Sequence, residues 1–146
     1  MLRKAVTKVT IAIGLLAASL ALLIIYGADA SVASSSPDNK GFLPLNESVR
    51  GSGFGGGAVI MSIIGFVISR KQPSPIVVAL LFVNGGLIIA GMLVLIGQGA
   101  LASENAEGAM RTVGSTIAMG GILVGLGAWK AVTDKRVVRN KEQPQR

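Results

Sequence analysis

GFGGGAVIMSIIGFVISRKQPSP, residues 53–75, has glycines at one end, an Arg–Lys pair near the other and no charge between them. In a soluble domain such a stretch is a buried core helix. In a membrane protein it is one pass through lipid, with the basic pair anchoring it at the water boundary. The rest of the chain decides between these readings.

The composition favours lipid. Apolar residues make up 51% of the chain and charged residues 14%, whereas a soluble domain carries roughly a quarter charged residues. The charges are also gathered into short clusters. Crossing the hydrocarbon core takes about 20 apolar residues, each advancing a helix by ~1.5 Å. Four stretches approach that length: 9–27 (VTIAIGLLAASLALLIIYG), 54–69 with the glycines before it, 75–98 (PIVVALLFVNGGLIIAGMLVLIGQ) and 113–132. The first three contain no charged side chain. Lys130 closes the fourth, where its long stem can snorkel to the interface. The expected fold is an all-α integral membrane protein with four transmembrane helices. Residues 1–146 form a single membrane domain with an outer loop at 28–53 and a basic tail at 133–146.

The loops set the orientation. Arg3, Lys4 and Lys8 precede the first span, and Arg70 and Lys71 follow the second. Lys130, Lys135, Arg136, Arg139, Lys141 and Arg146 lie at or beyond the end of the fourth. Four passes bring all of these to one side. The other side holds Lys40, Arg50 and Arg111 among Asp29, Asp38, Glu47, Glu104 and Glu107. Cytoplasmic flanks accumulate Lys and Arg, so both termini are expected in the cytoplasm, and the plasma membrane of a prokaryote is the expected location. Tyr26 and Trp129 fall at opposite interfaces, as amphipathic rings prefer. Ala28-Asp29-Ala30 before Ser31 also fits a leader cleavage pattern. Retention of the first helix is expected, because its apolar stretch exceeds a usual leader and residues 100–103 repeat the small-residue pattern after a helix that cannot be a leader.

The two halves resemble each other. GLLAASLALLIIYGADAS (14–31) lies on GLIIAGMLVLIGQGALAS (86–103), and GAVIMSIIGF (57–66) on GGILVGLGAW (120–129). Two matching helical hairpins of one orientation point to a parallel repeat about an axis along the membrane normal. Each span also carries a pair of small residues four apart: Gly14/Ala18, Ala58/Ser62, Gly86/Ala90 and Gly121/Gly125. Such pairs share one helix face. In lipid, helices gain nothing from hydrophobic burial against one another, and small residues let them associate through close contact. These eight residues are the expected packing faces, within one chain or between chains. A phosphate-cradling loop at 51–57 is excluded, since it would need a preceding strand and a cytosolic position.

Asn84 and Gln98 are the polar residues of the third span. Asn84 lies deep enough to require a hydrogen-bond partner, with Ser62, Ser115 and Thr116 as candidates. In the outer loop, Asn46-Glu47-Ser48 is a glycosylation sequon on the appropriate side, and Phe42, Leu43 and Leu45 form a small apolar island. The basic tail could hold anionic lipid, although orientation alone accounts for it.

The chain has no Cys and no His, which removes disulfides, thiolate chemistry and imidazole ligands. Proton relays, pumps and coupled exporters keep ionisable residues inside their spans, and here the one charged side chain in the four stretches is Lys130, at the very end of the fourth. No catalytic, cofactor or metal residues are therefore expected, and the basic residues, accounted for by topology, imply no nucleic acid. The expected role is a non-catalytic structural or accessory subunit packing against a larger membrane protein complex. The alternative is a homo-oligomeric channel or transporter for a neutral small solute. The implied partners are the bilayer and a membrane protein or a second copy, met through the small-residue faces.

Overall fold

The computed structural model describes residues 2–38, 40–45, 49, 51–97 and 106–142. Among them there is no strand, and four α-helices follow one another: α1 (Leu2–Ser35), α2 (Gly57–Ser69), α3 (Pro75–Gly97) and α4 (Ala106–Glu142). A π-helical run, Gly51–Gly56, leads into α2. Three helical stretches are long and apolar enough to cross a membrane: Arg3–Ala33, Pro75–Gly97 and Met110–Asn140. The apolar helix Gly53–Ser69 is shorter.

The helices containing the first and fourth apolar stretches outrun them. With 34 residues, α1 is about 50 Å long, and α4 with 37 is about 55 Å. Polar residues flanking the apolar stretches continue the helix instead of ending it. Ser31 Oγ donates to Gly27 O at 2.8 Å, Ser35 Oγ to Ser31 O at 3.0 Å and Thr112 Oγ1 to Gly108 O at 3.0 Å, so their hydroxyls are satisfied within the helix. At the other end of α4, Lys, Arg and Glu are good helix formers. The outer loop expected over 28–53 thus starts after Ser35, and the tail expected over 133–146 is helical as far as Glu142.

Two antiparallel hairpins make the bundle. A Cβ added to Gly65 of α2 would meet Ala12 O and Leu16 of α1, while Ser19, further along α1, bonds Ala58, further back along α2. In the second hairpin Gly127 faces Leu81 and Gly120 faces Gly85 and Ile89. The hairpins meet chiefly where α1 lies against α3. The core runs through all four helices, with Ala12 and Leu16, Val59 and Phe66, Val77 and Leu81, and Leu123. Outward faces carry Ile24, Ile60, Val67, Val94 and Ile122, all exposed. Such apolar surface needs an apolar surrounding or a partner.

The tightest approach joins α3 to α4. A Cβ on Gly85 would lie 2.7 Å from Gly120 O and 2.8 Å from Val124 Cγ2, and one on Gly120 would lie 3.0 Å from Gly85 O. Only glycine lets these backbones touch.

Candidate functional site

A polar cluster sits at the centre of the bundle. Ser19 of α1, Ser62 of α2 and Asn84 of α3 are all fully buried. Ser19 Oγ donates to Ala58 O at 2.8 Å and lies 2.8 Å from Ser62 Oγ. Asn84 Nδ2 lies 3.1 Å from each serine oxygen and 3.2 Å from Leu16 O. The protons can be placed consistently. Ser19 donates to Ala58 O, Ser62 donates to Ser19, and the two amide protons of Asn84 serve the remaining acceptors. Among the described residues, Asn84 Oδ1 is the one buried side-chain polar atom without a hydrogen bond. Hydroxyls and an amide tie helices together. A serine becomes a nucleophile only with a base beside it, and no such base belongs to this cluster.

Of the partners expected for Asn84, Ser62 is in place. Ser115 instead donates to Thr112 O of its own helix at 3.0 Å, and no hydrogen bond joins Thr116 to Asn84. Ser19 takes the vacant role. Its signal in the sequence is depth: Ser19, Ser62 and Asn84 each lie near the middle of an apolar stretch.

A second cluster closes the end of the bundle where α2 turns into α3. Lys130 is only 2% exposed. Its Nζ donates to Ser69 O at 3.0 Å, Gln72 O at 2.7 Å and Asp134 Oδ1 at 3.1 Å. Asp134 Oδ2 accepts from Ser74 N at 2.9 Å. The expectation that Lys130 snorkels to water is therefore overturned. The last carbonyls of a helix lack intrahelical donors and carry partial negative charge, so the ammonium finds three acceptors inside. Beside it, the Arg70 guanidinium lies 5.9 Å from the centroid of the Trp129 ring, which packs at 6.1 Å on Phe66.

At the opposite end, Asp29 is buried within α1 and its Oδ1 accepts from Leu43 N at 2.8 Å. This contact draws the segment 40–45 against α1. Phe42 and Leu45 of the apolar island remain exposed there. Asn46 and Gln98 lie outside the described residues.

The eight small residues divide into two groups. Ala58 and Ser62 are buried against α1. Gly14, Ala18, Gly86, Ala90, Gly121 and Gly125 are exposed, and a Cβ at any of the four glycines would have nothing within 4 Å. The second hairpin instead packs through Gly85, Gly120, Val124 and Gly127. Gly86, Gly121 and Gly125 each follow one residue after a packed position. One residue is a rotation of about 100°, which carries them outside.

No family model, curated protein or solved structure matches the chain.

Proposed function

We propose that this chain is a four-pass protein of a prokaryotic plasma membrane with both termini in the cytoplasm, and that it serves as a non-catalytic accessory subunit in a larger membrane complex. What supports the reading is the contrast between a closed interior and an open exterior. The central hydroxyls and the Asn84 amide turn toward one another. Among the described residues, none covers the faces at Gly14/Ala18, Gly86/Ala90 and Gly121/Gly125. Glycine weakens a helix by about 1 kcal/mol relative to alanine, so outward glycine pairs have a use where another helix approaches closely. The two hairpins meet along α1 and α3, as in a parallel repeat, but the aligned pairs Ala58/Ser62 and Gly121/Gly125 face opposite ways, inward in the first hairpin and outward in the second.

Gentle solubilisation from native membranes followed by mass analysis tests the role. A stoichiometric complex with a different membrane protein is the expected result. A homo-oligomer alone would replace this reading with the channel or transporter for a neutral solute. Because the chain has no cysteine, a Gly121→Cys variant can identify by crosslinking what lies against α4.

A further inference from the structure

We propose that the basic end of α4, together with the turn from α2 to α3, is a binding surface for anionic phospholipid headgroups. The surface arises from how the Lys130 cluster sorts the charges. Asp134 is the only acidic residue between Trp129 and Asn140, and both of its oxygens are engaged, by Lys130 and by Ser74 N. That carboxylate is therefore withdrawn from the outer face along with one ammonium. Arg70, Lys71, Lys135, Arg136 and Arg139 are left exposed, with no acidic side chain from this stretch of α4 to neutralise them.

The geometry matches a membrane boundary. Trp129, Val132, Arg136 and Arg139 recur at helical spacing, so they form one stripe. The stripe is apolar at its start and basic at its far end. Trp129 is 57% exposed, and Arg70 reaches over its ring from the neighbouring turn. An indole is favoured at headgroup depth, and Arg136 lies about 10 Å further along the helix axis. A guanidinium over the ring and further basic side chains along the helix suit phosphodiester headgroups whose acyl chains lie beside the apolar part of the stripe. Because α4 carries its basic residues directly out of the spanning segment, the first polyanion they meet is the leaflet itself. The inference rests on the membrane placement proposed above and adds a lipid preference to it.

Trp129 is the only tryptophan, so its fluorescence reports on this surface without a label. The full chain would be reconstituted in phosphatidylcholine bilayers containing a small fixed fraction of bromine-labelled lipid, either phosphatidylglycerol or phosphatidylcholine. Brominated phosphatidylglycerol should quench Trp129 severalfold more effectively, and added salt should shrink the difference. The Arg70→Gln/Arg136→Gln/Arg139→Gln variant should cut the preference sharply, each lost charge lowering local enrichment by up to about fivefold. These positions are exposed, and an unchanged far-UV spectrum would establish that the variant folds. Arg111→Gln, a basic residue outside the stripe, should leave the preference intact. Equal quenching of the unaltered chain by both lipids, or a preference that the triple variant leaves unchanged, overturns the lipid surface alone. Absence of quenching by either lipid overturns the membrane placement and the surface with it.

Discussion

Asn84 offers two protons to three acceptors and leaves its own oxygen without a partner. Its net contribution is therefore smaller than its central position implies, because the gain from three helices sharing the amide is offset by one desolvated acceptor. Asn84→Ala should weaken the bundle by about 1 to 3 kcal/mol, measured by reversible unfolding in mixed micelles. A double-mutant cycle with Ser62→Ala should return a coupling of about 0.6 to 2 kcal/mol, and zero coupling would mean the two side chains do not share the bond. Lys130 is under a stricter constraint. Lys130→Met strands Asp134 beside two uncapped carbonyls, and breaking a buried pair in this way should cost about 3 kcal/mol. Lys130→Met/Asp134→Asn should recover part of that, since the amide oxygen can still accept from Ser74 N. The need for a partner at Asn84 is legible in the sequence, because an amide deep in an apolar run has nowhere else to turn. The inward turn of Lys130 is harder to read. Position along the chain places it at a boundary, but its rotation puts it on the inner stripe of Gly120, Leu123 and Gly127, which hydropathy does not register.

Between helices, the contacts that matter are single atoms wide. Gly85→Ala and Gly120→Ala each place a methyl within 2.7 Å of an atom across the α3–α4 contact, and separating packed helices to admit it should cost about 1 to 3 kcal/mol. Gly121→Ala and Gly125→Ala point into open space. They should leave the stability of the isolated chain within about 0.5 kcal/mol, or raise it slightly, since alanine is the better helix former. Thermal unfolding of the four variants in one detergent separates the two pairs, and an inverted order would show the α3–α4 register to be off by one residue. Spacing alone finds the small-residue pairs but cannot choose within the doublets Gly85-Gly86 and Gly120-Gly121. Both members suit a close approach, and an all-apolar helix has no polar face to mark which one turns inward. The hairpin pairing of α1 with α2 and of α3 with α4 was accessible from span order, whereas the helix ends were not. Hydropathy stops at the first polar residues, but the backbone hydrogen bonds of α1 and α4 run several turns past them.

The two ends of the bundle differ in chemistry, and the side-chain contacts fix which segments share an end. Lys130 and Asp134 hold Ser69, Gln72 and Ser74, so Arg70 and Lys71 lie at the same end as Lys135, Arg136 and Arg139. Asp29 holds Leu43 near the far end of α1. The charge asymmetry expected from span counting and this grouping by contact agree only if α2 crosses the membrane. That helix is the weak point. Gly53–Ser69 spans about 25 Å, several ångströms short of a ~30 Å hydrocarbon core. Local thinning of the bilayer can absorb the difference at a fraction of a kcal/mol per Å. In intact cells, an Asp38→Cys variant should therefore react with a membrane-impermeant maleimide, while Lys71→Cys and Lys135→Cys should react only after lysis. If Lys71→Cys and Lys135→Cys both react before lysis, α2 fails to cross, α3 and α4 having carried Lys135 back to the side of Lys71, and the four-pass reading falls. Bilayers of increasing acyl-chain length provide the complementary measurement. Mismatch at α2 should lower the unfolding temperature as the core thickens, whereas α1 and α4, each with turns to spare at both ends, impose no such limit.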